Sequence, residues 1–322
     1  MPVHPRLKAL AHSLGIRRAP ANEESAEPSA LIGRDGWLFL TGDSNDVLGQ
    51  HTGALSFGAE WRRDWARRLA ARMEVMGKLG TDWTYLMAPD KESVYTDKLP
   101  ADIELAERRP VHDFLDIAQA CGAPVIYPLA ELEAAKDAGP VYFQTDTHWT
   151  ALGCHVAYRV ICDRLALRGI ELPILADDQI EWAETWGPGD LGSKLEPDVF
   201  GRGLSARVRA PRSKLVSDNR VRGTGRMCIY ESDRADAPTA VILGTSFAPM
   251  TLCFFKESFR RLVFVHTSSH DERLLRRERP DVVITIRAER GLRFVTSDRA
   301  THRRLAKMAA RKPATEGPLV EE

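Results

Sequence analysis

The chain has 322 residues, with 45 Lys+Arg against 45 Asp+Glu, a formal net charge of zero, 43% hydrophobic and 28% charged residues. That is the balance of a globular chain able to bury a core without staples, and it excludes a global electrostatic pull toward nucleic acid or another polyanion. Five irregularly spaced cysteines without a C-x-x-C argue against a disulfide framework or a zinc site, and no run approaches the 18 apolar residues of a membrane span.

Residues 1–29 are polar and proline-punctuated, with a basic helix predicted at about 5–17 inside a flexible arm. The start, Met1-Pro2-Val3-His4, lacks the apolar stretch of a signal peptide, which predicts a cytoplasmic protein. A Gly-rich turn then delivers a short apolar strand within Leu31–Leu40. From Ser56 to Leu79 the residues Trp61, Trp65, Leu69, Met73, Met76 and Leu79 recur at helical steps, and Gly80 supplies the stop. Strand and helix signals alternate afterwards. Strands are predicted at Asp82–Ala88, Ala123–Leu129, Thr239–Leu243, Leu262–Val265 and Asp281–Ile286, with a further short one at Tyr142-Phe143-Gln144. Helices are predicted at Pro110–Cys121, Leu152–Arg168 and Asp271–Arg279. This alternation predicts an α/β domain over 30–300 with a mainly parallel sheet. Residues 172–237 break the rhythm with Gly-rich turns and scattered charges, as an inserted loop or β segment would. The Arg-rich tail 301–322 is expected to fray.

Three segments carry chemistry. In Val241-Ile242-Leu243-Gly244-Thr245-Ser246 an apolar strand ends in Gly-x-Ser. Beyond the carboxyl end of a parallel strand, and just before a helix, a serine hydroxyl is exposed beside backbone N–H groups suited to an oxyanion. Gly244 is expected to permit the sharp turn and leave room for a substrate; the tripeptide alone also fits a plain helix N-cap. In Asp146-Thr147-His148-Trp149, residues i and i+2 of an extended segment face one side. A carboxylate can then orient the imidazole that takes the serine proton, although the pair alone also fits a metal half-site or a surface contact. Finally, Lys91 follows the strand Asp82–Ala88 at the same sheet edge, either to meet an anionic substrate or oxyanion or to serve as a salt-bridge partner.

Taken together, Gly33-Arg34-Asp35-Gly36-Trp37-Leu38-Phe39, then Pro89, Lys91, Val94, Tyr95, Leu99 and Pro100, then Asp146-Thr147-His148-Trp149 with Gly153, Gly189-Asp190-Leu191, Gly244-Thr245-Ser246-Phe247, and Pro280-Asp281 with Glu289-Arg290 resemble the AlgX/AlgJ family of SGNH hydrolase-like proteins. The resemblance implies a circularly permuted SGNH three-layer sandwich, with the Asp/His block before the serine. It implies O-acetylation of an exopolysaccharide such as alginate through an acetyl-serine, with Ser246 as nucleophile, His148 as base and Asp146 as its orienter. Lys91, Tyr95, Trp149 and Thr245 are the expected substrate-contacting positions. No cofactor and no metal are expected. The partners implied are a carbohydrate acceptor and an acetyl donor, a membrane acyltransferase among the conceivable sources, with no nucleic acid. The chain departs from the pattern at Thr245, where many relatives carry Asp, in having no carbohydrate-binding module after the core, and in its N-terminus, where the family leads one to expect export to the periplasm. A different glycan, a non-catalytic binding protein and a small-ester esterase therefore stay open.

Overall fold

The computed structural model describes residues 30–299 apart from Gly42, together with Arg17–Arg18, Arg304 and Lys307. The predicted basic helix and most of the N-terminal arm and C-terminal tail lie outside the described residues. Arg17–Arg18 form a short ladder with Leu195–Glu196.

In chain order the elements used below are β1 (Ala30–Ile32), β2 (Leu38–Leu40), α1 (Val47–Thr52), α2 (Ala59–Leu79), β3 (Asp82–Ala88), α3 (Lys91–Val94), α4 (Pro110–Cys121), β4 (Val125–Ile126), α5 (Leu129–Ala135) and α6 (Ala151–Ala166). There follow β5 (Ile180–Gly187), α7 (Gly189–Gly192), β6 (Gly201–Val208), β7 (Ser213–Asp218), β8 (Met227–Ser232), β9 (Thr239–Gly244), α8 (Leu252–Phe255), β10 (Arg261–His266), α9 (Glu272–Glu278) and β11 (Val282–Ala288). A central seven-stranded sheet runs β4-β3-β11-β9-β10-β8-β7. The first five strands are parallel, and β8 and β7 continue the sheet antiparallel.

The inner strands read as continuous apolar runs because both faces are covered, and their alternate residues feed two separate cores. Leu86, Ile242, Phe264 and Ile284 face a core that includes Ala157, Ile161 and Leu165 of α6. Tyr85, Val241, Val263 and Val283 face one built on Trp61, Trp65 and Leu69 of α2 and Phe114 of α4. Helices on both faces make the expected three-layer α/β sandwich. The stripe on α2 is core, and the indole N–H groups of Trp61 and Trp65 both donate to Leu292 O, at 2.9 and 3.1 Å.

Four sequence expectations change. The short strand expected at Tyr142-Phe143-Gln144 is only a single bridge between Tyr142 and Trp149. The strand after Ala123 shrinks to Val125–Ile126 at the sheet edge, where one partner strand supports it. The segment expected as a single strand is the hairpin β1/β2, turned through Asp35 and Gly36 at positive φ. Residues 172–237 are not one insertion. Their first half is a two-stranded ribbon, β5 paired with β6 from Ile180↔Val208 to Gly187↔Gly201, whereas β7 and β8 belong to the main sheet. The cysteines are free thiols, with Cys154, Cys162 and Cys228 buried. No helix among the described residues is long and apolar enough to cross a membrane.

Candidate active site

Three neighbouring strands end at one edge and deliver polar groups there: β3 leads into Asp90 and Lys91, β11 into Glu289 and Arg290, and β9 into Thr245 and Ser246. Loops beyond the carboxyl ends of parallel strands are where such folds place ligands. Ser246 is exposed in the turn after β9. The turn is held by Thr245 N–H donating to Ile286 O (3.3 Å) and Ala248 N–H donating to Thr245 O (2.9 Å). The expected helix after the serine is only a 3-10 turn at Pro249–Thr251 followed by the single turn α8, too short to bring much of a helix dipole to the hydroxyl. Gly244 is needed for a different reason from the one expected: a Cβ there would lie 2.4 Å from Ala248 Cβ and 2.7 Å from Ile286 O, so the space belongs to the protein rather than to substrate.

The Asp-x-His segment packs against this turn. Asp146 Oδ1 accepts from His148 Nδ1 at 2.7 Å and from the His148 backbone N–H at 2.8 Å. Asp146 Oδ2 accepts from Asp190 N–H at 2.8 Å. Burial alone would raise the Asp146 carboxyl, but the hydrogen bond and charge of His148, with the two backbone N–H groups, prevail and bring it down to about 2. With its proton on Nδ1, the neutral imidazole presents a lone pair at Nε2. That atom is buried and has no hydrogen-bond partner among the described residues. The imidazole lies 5.0 Å, centroid to centroid, from the ring of Phe247, the neighbour of Ser246. The indole N–H of Trp149 donates to Phe247 O at 3.1 Å, tying the two segments together. The structure thus brings Asp146 and His148 into a hydrogen-bonded dyad beside the Ser246 turn, while the Ser246–His148 hydrogen bond is not formed.

The expected substrate-contacting positions fare differently. Lys91 is 1% exposed, and its ammonium donates to the carbonyls of Asp146 (2.6 Å), Phe143 (3.1 Å) and Gln144 (3.3 Å). It has no free face for a substrate; it clamps the backbone that carries the dyad. Burial pushes it down to about 8, against the pull of Glu92, Asp146 and Asp190. Tyr95 is 4% exposed, its hydroxyl accepting from Val141 N–H at 3.0 Å, and Trp149 is fully buried. Both are inward structural groups because their polar ends are used by backbone. Thr245, half-buried beside Ser246, is the remaining one of the four with an accessible position.

Sequence reasoning noted Asp190 only as part of a motif. Its carboxylate accepts from Thr147 N–H (2.7 Å) and Thr147 Oγ1 (2.6 Å) and lies 3.7 Å from His148 Nδ1. Nor did it find the ionic cluster beneath the site. Arg290 reaches Asp90 at 2.7 Å and Thr147 Oγ1 at 3.5 Å, and its guanidinium stands 5.1 Å from the centre of the Phe247 ring. Asp90 also meets His51 (3.5 Å), and Glu289 accepts from Ser93 and Tyr127, each at 2.8 Å. The sequence signals were position, since Asp90 and Glu289-Arg290 each follow a strand, and the place of Glu289-Arg290 among the family motifs; neither pointed to their pairing. Among the described residues, two groups of side chains have the spacing to hold a cation, His51/Asp90/Glu289 and Asp146/His148/Asp190. In both, the carboxylates are already engaged by N–H and O–H donors, an arrangement suited to proton handling by the imidazole.

The SGNH hydrolase-like domain of the acetyltransferase AlgX matches residues 30–262 of this chain. The probable alginate O-acetylase AlgJ of Pseudomonas putida KT2440 is 28% identical over 239 residues, which is 69% of this chain and 55% of that protein. Its counterpart from Pseudomonas aeruginosa PAO1 is 30% identical over 135 residues, 41% of this chain and 32% of that protein. The chain thus spans about half the length, or less, of these curated relatives. Among solved structures, PatB1 of Bacillus cereus has a TM-score of 0.61 at 14% identity, with 82% of this chain and 96% of that chain covered. The O-acetyltransferase domain of P. putida AlgJ has a TM-score of 0.53 at 17% identity, with 88% and 100% covered. These likenesses show a shared fold, and the family match covers most of the chain: it belongs to the AlgX family of SGNH hydrolase-like acetyltransferase domains.

Proposed function

We propose that this chain transfers an acetyl group from a donor ester to a carbohydrate hydroxyl through an acetyl-Ser246 intermediate. The observation that carries this reading is the His148 ring, bonded to Asp146 at Nδ1 and left at Nε2 with a buried, unpartnered lone pair beside the Ser246 turn. Ser246 Oγ attacks the acetyl carbonyl carbon as His148 Nε2 takes the hydroxyl proton. The tetrahedral intermediate collapses, breaking the bond to the donor oxygen, which leaves with the proton from the imidazolium. A sugar hydroxyl then attacks the acyl-serine carbonyl, giving its proton to His148, and Ser246 Oγ departs and regains it. Asp146 stays ionised throughout and stabilises the transient imidazolium. The missing Ser246–His148 hydrogen bond agrees with the loose catalytic geometry common before substrate binds.

The names of the relatives, probable alginate O-acetylases, support a polysaccharide acceptor. Ser246→Ala is expected to abolish release of p-nitrophenol from p-nitrophenyl acetate and to prevent acetyl-enzyme formation in the intact-mass spectrum, with an unchanged circular dichroism spectrum. Turnover surviving in Ser246→Ala would falsify the assignment. Added oligosaccharide acceptor diverts acetyl from water if the protein is a transferase, and does nothing if it is a small-ester esterase. The open Ser246–His148 geometry also fits a second reading, a glycan-binding protein that retains the scaffold. That reading requires saccharide binding with no labelling by a fluorophosphonate.

A further inference from the structure

Beside the site, and outside the acyl-transfer machinery, lies a cavity of about 490 Å³. One wall is the ribbon strand β6, through Leu204, Ala206 and Val208. The opposite wall follows Ser246 in the chain, through Pro249, Met250, Leu252 and Cys253. Ala151 and Cys154 of α6 and Cys228 and Tyr230 of β8 also line it. The lining is therefore mostly hydrocarbon and thiol. Its volume falls within the roughly 300–1,000 Å³ typical of small-molecule sites, far more than an acetyl group needs. Burial holds the thiols of Cys253 and Cys228 up, to about 12 and about 11, so both are neutral walls at physiological pH.

The cavity has cations at its edge. Arg207 and Arg226 are spoken for, by Glu181 at 2.7 Å and Asp218 at 2.9 Å. Lys256 differs: its ammonium lies 5.6 Å from the centre of the Tyr230 ring, and among the described residues it has no carboxylate within ion-pair reach. A half-open, mostly apolar groove with one ammonium in its lining that no carboxylate pairs has the complementarity of an amphiphile with a single negative head.

We propose that this cavity binds a single-chain aliphatic carboxylate, its hydrocarbon tail among Leu204, Ala206, Val208, Met250 and Leu252 and its head at Lys256. The shared ligand chemistry is an unbranched acyl chain from one of two sources: a free fatty acid places its carboxylate at Lys256, whereas the acyl chain of a donor ester would fill the same hydrocarbon lining without that head contact, its carbonyl lying at Ser246. The site does not depend on the acetyl-transfer reading, because none of these residues belongs to the Ser246–His148–Asp146 set.

The test is calorimetric titration of the full chain with hexanoate, octanoate and decanoate, below their aggregation concentrations, in wild type and in Ser246→Ala. Affinity is expected to rise about threefold or more per added methylene, as burial of each CH₂ requires, and to be the same in both proteins. Ala206→Trp fills the chamber and should abolish binding. Lys256→Met should weaken decanoate about tenfold while leaving decanol unchanged, since only the head contact is lost. Thermal denaturation confirms that both variants are folded. Affinity that does not depend on chain length, or decanoate binding that survives Ala206→Trp, overturns the proposal. A parallel series of p-nitrophenyl esters assigns the source. Turnover rising with chain length in wild type and lost in Ala206→Trp marks a donor chain, whereas unchanged turnover with intact decanoate binding marks a free fatty acid. Binding without any ester turnover would sink the serine mechanism and leave the cavity assignment standing.

Discussion

At the scale of single residues, the site rests on how two carboxylates divide the work around one imidazole. Asp146 bonds Nδ1 directly, whereas Asp190 stands 3.7 Å away and spends both oxygens on Thr147. Asp190 is thus a positioning residue with an electrostatic side effect: its anion favours a positively charged ring in the transition state. Asp190→Asn preserves shape, keeps the backbone N–H that binds Asp146, and removes only the charge. It should lower kcat/KM for an activated acetyl ester by about tenfold, through kcat with KM unchanged, because the transition state loses a nearby anion. Asp190→Ala should lose more, since Thr147 N–H then loses its acceptor. Unchanged kcat in Asp190→Asn, with a loss confined to KM or stability, would reduce Asp190 to a purely structural part. Lys91 illustrates a limit of reading types from sequence. A lysine beside a strand end suggests an anion partner, but burial turned it inward onto three carbonyls, with the nearby carboxylates Glu92, Asp146 and Asp190 favouring its charge.

At the scale of elements, the loop that carries Asp146 and His148 is shaped by close approach from the ribbon side. Gly189 opens α7 at φ +60°, and a Cβ there would lie 2.6 Å from both Asp146 Cβ and Thr145 O. Backbone cannot yield at that distance, and the left-handed conformation adds its own strain for a residue with a side chain. Gly189→Ala is expected to cost about 2 kcal/mol or more in stability and to lower kcat for the acetyl ester more than tenfold, measured by denaturant unfolding and steady-state kinetics. A variant with native stability and full activity would show that the loop tolerates a shift and is not held by this contact. Elements with a strict period were legible in the sequence: Asp82–Ala88 and Pro110–Cys121 have the expected bounds, because apolar runs and Gly or Pro stops are local signals. The antiparallel edge strand β7 and its neighbour β8 were not, since Lys214, Asp218 and Glu231 interrupt the apolar pattern of these strands. The Asp146/His148 pair was legible because its geometry is set by two residues of spacing. The Asp90–Arg290 and Ser93–Glu289 contacts join residues about two hundred positions apart, and no local pattern encodes them.

At the scale of the whole molecule, two acidic anchors tie distant parts of the chain to the sheet and set its tolerance of acid. Asp146 joins its own loop to α7. Asp298 takes Arg72 of α2 in a two-pronged pair (2.8 and 3.0 Å), accepts from Arg68 (3.1 Å), and caps the His270 N–H (2.9 Å), pinning the segment after β11 onto α2. Burial works against the charged form of Asp298, but the hydrogen bonds and charge of Arg72 outweigh it and bring the carboxyl down to about 2, as for Asp146. A carboxyl lower in the folded than in the unfolded chain contributes its full stabilisation above the ordinary value of 3.8. It loses that contribution as pH falls toward the folded value, so the window is roughly pH 4 to 2. Each group supplies on the order of 2 kcal/mol at neutral pH by this linkage. Asp298→Asn should destabilise the protein at pH 7 by about 3 kcal/mol, because Arg72, 2% exposed, keeps its charge without a carboxylate. It should also flatten the unfolding free energy between pH 4 and 2, with kcat of the folded protein at pH 7 unchanged because Asp298 touches neither Ser246 nor the dyad. Urea melts across that range decide the matter: if wild type and Asp298→Asn lose stability in parallel as the solution is acidified, the anchor is not what acid releases.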